Sequence, residues 1–110
     1  MQIADHKIGS DVKPYLIAEM SNNHMRDIGK AYEIIEAAKN AGADAIKLQT
    51  YTADSLTIDC SKKDFLIPDK LWAGSTYYQL YSEITMPTDW NGLLFEKAKS
   101  VGITIFSSPF

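Results

Sequence analysis

One cysteine, one arginine and two histidines are all this 110-residue chain holds of those types, and each scarcity excludes something. Cys60 has no second cysteine for an internal disulfide and fits a reducing, cytoplasmic compartment. Together with His6 and His24 it is too little for a closed structural zinc site. Arg26 stands alone and the lysines are scattered, eleven basic residues facing fourteen acidic ones for a net charge of −3. No basic stripe tracks a phosphate backbone, which argues against a nucleic-acid partner. No apolar run approaches the ~20 residues that a membrane span needs, and the opening MQIADHKIG lacks a charged-then-apolar leader. What remains is ordinary globular composition, 45% apolar and 23% charged, at a length that suits one domain.

Three short, β-branched apolar runs read as strands: Tyr15 to Glu19, Asp44 to Tyr51 and Gly102 to Phe110. Between the first two, Ile28, Ala31, Ile35 and Ala38 repeat at helical spacing, with Asp27 as N-cap and Gly42 as left-handed stop. Before the third, Trp90, Leu93, Leu94, Ala98 and Val101 repeat that spacing, with Pro87 suited to the first turn and Gly102 to the stop. Strand–helix alternation predicts an α/β fold with a parallel sheet. Residues 1–14, with Ile3, Ile8 and a Gly9–Ser10 turn, read as a small hairpin. Residues 52–86 are too long for a plain connection and read as an ordered flap. Within the flap, Ser55 to Asp59 suits a short strand. Thr76 and Gln79 have capping-box spacing, ahead of a Tyr77, Leu80, Tyr81, Ile84 stripe. Two helices cover only one face of three parallel strands, so the chain reads as the front of a larger α/β protein.

Polar residues gather at the carboxyl ends of these strands, where parallel sheets bind ligands. Alternation sets Lys47 and Gln49 on one face of the second strand and Glu19 at the end of the first, while Ser107 and Ser108 end the third. Burying such groups is costly unless something satisfies them. Glu19 and Lys47 are also readable as a structural ion pair, and Ser107–Ser108 as turn formers before a proline. His24 is readable as a hydrogen-bonded loop histidine, the flap tyrosines as packing, and Cys60 as a bystander. A strand lysine supports Schiff-base chemistry or service as a fixed cation for phosphate or carboxylate. Sequence physics leaves both open.

The runs IAEMSNNH (17–24), AGADAIKLQTYTADSLTID (41–59), LWAGSTYYQLY (71–81) and GITIFSSPF (102–110) resemble the sialic acid synthase family. KLQTYTADSLTID with the following DFLIP and LW is most similar to its pseudaminic acid branch. The resemblance implies a TIM (β/α)₈ barrel of which residues 1–110 are the first three strands, truncated after the third. It implies condensation of phosphoenolpyruvate with an acetamido sugar, 2,4-diacetamido-2,4,6-trideoxy-altrose for this branch, and alternatively N-acetylneuraminate or legionaminate synthesis. Glu19 then matches the catalytic glutamate near the attacking water, Lys47 the phosphoenolpyruvate-binding lysine and Gln49 the sugar-binding residue. Asn23 and His24 match the family's Asn-His beside the site. A divalent metal, Mn²⁺ or Mg²⁺, is implied with ligands beyond residue 110, and a homodimer for the full-length protein. The family commonly follows Asn-His with a small, Asn/Gly-type turn, where this chain has Met25, Arg26 and Asp27. A reading from another class is a truncated, non-catalytic remnant that binds a ligand or a partner.

Overall fold

The Asp27 carboxylate accepts hydrogen bonds from the backbone N–H of Gly29 and Lys30, and α1 (Ile28–Asn40) starts there, in a computed structural model describing residues 1–110. Capping satisfies amides that a helix start otherwise leaves unpaired. Gly42 takes φ +86° just past the helix, a left-handed turn that glycine makes without steric penalty. The expected stripe is the buried one: Ala31, Ile35 and Ala38 face inward.

Three parallel strands form the sheet, β3 (Ile17–Glu19) ahead of α1 and β4 (Ala45–Thr50) and β5 (Thr104–Pro109) after it, with β4 in the middle. They are shorter than the apolar runs that announced them. α4 (Trp90–Val101) ends at Gly102, φ +72°, and lies beside α1. Pro87 stands ahead of this helix rather than in its first turn; its carbonyl accepts from the Trp90 N–H. Both helices pack on one face of the sheet, around Met20, Ile35, Ile46, Leu48, Leu94 and Ile103.

β1 (Gln2–Ile3) and β2 (His6–Lys7) form the expected antiparallel hairpin. Its turn is Ala4–Asp5, with Ala4 at φ +47°, not Gly9–Ser10. The flap between β4 and α4 is ordered. Thr52 and Ser55 cap each other at the start of α2 (Ala53–Leu56), so Ser55 and Leu56 are helical and the expected strand is absent. Two single 3₁₀ turns, Lys63–Phe65 and Lys70–Trp72, lead to α3 (Tyr77–Ile84). The Thr76–Gln79 capping box forms as its spacing predicts: each side chain accepts from the other residue's backbone N–H, at 3.1 and 2.9 Å.

Candidate functional site

Parallel register decides which side chains meet. Glu19 pairs with Lys47 and Lys47 with Phe106, while Gln49 pairs with Ser108. Residues paired across a ladder share a face, and alternate residues along one strand share it too. Glu19, Lys47, Gln49 and Ser108 therefore lie on the sheet face opposite the helices, at the carboxyl ends of the strands. Ser107, grouped with Ser108 in the sequence reading, pairs with Leu48 and faces the helices. Its hydroxyl lies 2.7 Å from that of Thr50, which donates to Asn91 Oδ1 at 3.1 Å. That cluster ties β4 and β5 to α4.

Lys47 Nζ lies 2.8 Å from Glu19 Oε1. The pair is not sealed in a core: the lysine side chain is 27% exposed and the carboxylate 47%. A fixed ammonium with a carboxylate beside it, on an open polar face, can hold an anionic group and take a proton from a neighbouring one.

The loop from Met20 to Asp27 holds Asn23 and His24 in different settings. Asn23 is exposed, and its amide nitrogen donates to the Met20 carbonyl at 3.0 Å. His24 is fully buried, with its ring edge-on to Trp90 at 5.6 Å. Its Nδ1 accepts from the Arg26 N–H at 3.0 Å, which assigns the proton to Nε2. Burial, and then the nearby Arg26 charge, hold its pKa below the ordinary 6.5. His24, expected among the substrate-binding residues, thus supports the loop from inside and does not join Lys47 on the open face. Met25 and Arg26 take φ +49° and +56°, the left-handed region that most side chains resist.

The family model described as NeuB matches residues 34–110. The chain belongs to the NeuB family. This NeuB-family chain is 47% identical, over all 110 residues, to a pseudaminic acid synthase of Campylobacter jejuni, and covers 32% of that protein. It is 35% identical over 102 residues to an N,N'-diacetyllegionaminic acid synthase of Legionella pneumophila, covering 93% of this chain and 29% of that one. A crystal structure of an N-acetylneuraminic acid (sialic acid) synthetase from Leptospira borgpetersenii, in complex with citrate, superposes with a TM-score of 0.76 at 25% identity. The match covers 100% of this chain and 34% of that one. The resemblance to sialic acid synthases is borne out, and the α/β fold is theirs. The chain spans about a third of the length of the curated relatives it matches.

Sequence reasoning passed over Tyr51 and Asn22. Tyr51 is 5% exposed, and its hydroxyl accepts from Asn22 Nδ2 at 2.8 Å. Continuing the Lys47–Gln49 alternation by one more step would have reached Tyr51. For Asn22 no sequence signal existed.

Proposed function

We propose that this chain is the N-terminal part of a pseudaminic-acid-type synthase, condensing phosphoenolpyruvate with 2,4-diacetamido-2,4,6-trideoxy-altrose. The observation that carries the reading is the 2.8 Å Glu19–Lys47 pair, with Gln49 on the same open face. The higher identity to the pseudaminic acid synthase than to the legionaminic one, 47% against 35%, favours the altrose derivative.

In this reading the three strands are the first of a (β/α)₈ barrel, whose interior is the open face, and residues 52–86 are a flap over its mouth. Lys47 holds the phosphoenolpyruvate anion as a fixed cation. Its ion pair with Glu19 suits that role better than a Schiff base, for which the amine must be free and neutral. The enol carbon attacks the sugar aldehyde, and the aldehyde oxygen takes up a proton. Water adds to the resulting oxocarbenium carbon, and its proton passes to the Glu19 carboxylate. Collapse of the tetrahedral intermediate breaks the C–O bond to phosphate and leaves a nine-carbon 2-keto acid. Gln49, next along the strand on the same face, orients the sugar with its amide.

The implied Mn²⁺ or Mg²⁺ does not fit the residues present. No group of three or more His, Cys, Asp or Glu side chains lies together, so the ion would need ligands from outside these 110 residues and no step is routed through it. We propose accordingly that the 110 residues alone are inactive, and that the complete protein is a cytoplasmic homodimer. No helix is long and apolar enough to cross a membrane.

The test is phosphate release by the complete protein from phosphoenolpyruvate with a panel of 2-acetamido sugars. Preferred use of the 2,4-diacetamido altrose derivative supports the reading. Preference for N-acetylmannosamine moves it to the neuraminate branch, and release with none of them rejects it.

A further inference from the structure

We propose that Tyr51 is a positioning residue: it ties the flap helix α3 to the Met20–Asp27 loop and thereby controls closure on the sugar side of the site. The inference rests on the site reading above, in which Gln49 binds the sugar.

The loop is costly as it stands. Ser21, Met25 and Arg26 all take left-handed backbone angles, φ +50°, +49° and +56°. Two buried polar atoms, Asn22 Oδ1 and His24 Nε2, have no hydrogen-bond partner. Strain of this kind persists only where surrounding structure enforces it, and unmet buried polar atoms add to the cost. The ties from outside converge on one helix. Asn22 Nδ2 donates to the Tyr51 hydroxyl at 2.8 Å, and the Arg26 guanidinium donates to the Ser82 carbonyl of α3 at 3.1 Å. Tyr51 in turn holds α3 twice. Its carbonyl accepts from the Thr85 hydroxyl at 2.7 Å, and its ring stands edge-on to Tyr81 at 6.1 Å. Gln49 lies next to the last residue of β4 and Tyr51 is the first residue beyond it, so a shift of α3 pulls on the backbone that aims Gln49. Lys47 sits further back in β4, paired with Glu19 on one side and Phe106 on the other, and is removed from that pull.

The discriminating variant is Tyr51→Phe in the complete protein, which keeps the ring and removes only the hydroxyl. Hydrogen–deuterium exchange at the amides of the Met20–Asp27 loop and steady-state kinetics with both substrates are measured. The loop amides should exchange faster, by up to about tenfold, the worth of one neutral hydrogen bond. The KM for the sugar should rise by a similar factor while the KM for phosphoenolpyruvate stays put. Arg26→Ala, which cuts the second tie, should show the same split. Unchanged loop exchange in both variants overturns the tie. Faster exchange with both KM values rising together, or neither, overturns the control of the sugar side. A wild-type protein without synthase activity overturns the site reading beneath it, while the exchange result still decides whether Tyr51 holds the loop.

Discussion

Lys47 Nζ and Glu19 Oε1 stand 2.8 Å apart at directly paired positions of β4 and β3, on a sheet face that no helix covers. As scaffolding this pair is a poor investment, because partly exposed ion pairs contribute about 0–1 kcal/mol. Glu19→Gln keeps the shape and removes the charge. In the complete protein it should shift stability by no more than about 1 kcal/mol, yet lower kcat by roughly 10²-fold or more, the usual worth of a positioned acid–base group. Chemical denaturation alongside kinetics separates the two. A large stability loss with unchanged kcat would return the pair to a structural role.

His24 predicts a pH dependence. Burial, with Arg26 adding to it, lowers its pKa below 6.5 in the folded state, and its Nδ1 accepts a hydrogen bond that protonation would break. Between the lowered folded value and 6.5 the unfolded chain binds more protons, so stability rises with pH across that window. The contribution is fully present above 6.5 and is lost as pH falls from there toward the folded value. Denaturant midpoints between pH 7.5 and 5.5 should fall in the wild type and fall less in His24→Gln.

Met25 carries backbone strain in the open, 75% exposed with φ +49°. A left-handed angle costs a non-glycine residue roughly 1–2 kcal/mol, whereas glycine forfeits about 0.4–1 kcal/mol through unfolded-state entropy. Met25→Gly should therefore stabilise the complete protein by about 0.5 kcal/mol, read as a higher denaturation midpoint. A clear loss of stability would mean that the methionine side chain contributes packing the geometry does not reveal.

The 110 residues on their own should fold poorly. Their radius of gyration is 16.8 Å, against about 13 Å for a compact domain of this length, and only 16 residues are buried. Ile17 and Phe106 leave 45% and 37% of their surface exposed on the open face, and β3 and β5 each keep an unpaired edge. The purified fragment should bind hydrophobic dyes and melt broadly; a sharp cooperative transition of a monomer would refute this.

What was legible in the sequence was local. Asp27 as cap, Gly42 and Gly102 as stops and the Thr76–Gln79 box each act within one helical turn, and each appears where its spacing places it. Alternation also sorted Lys47 and Gln49 from Ile46 and Leu48. What failed needed partners distant in the chain or unusual backbone angles. Alternation puts Ser107 and Ser108 on opposite faces, but which one joins Gln49 needs the register with β4. His24 is the hydrogen-bonded loop histidine that the sequence allows, but its burial against Trp90 shows only in the fold. The hairpin turn fell on Ala4, a residue with no turn preference, so Gly9–Ser10 was the stronger signal and the wrong one.

The most direct test of the Glu19–Lys47–Gln49 site is kcat/KM for phosphoenolpyruvate in Lys47→Ala, measured on the complete protein beside Gln49→Ala. Loss of the fixed cation should lower it by about tenfold to a hundredfold, corresponding to the ~1.5–3 kcal/mol of a hydrogen bond to a charged group. Gln49→Ala should instead raise the KM for the sugar. Both variants matching the wild type for both substrates would contradict the account and leave these side chains as scaffold.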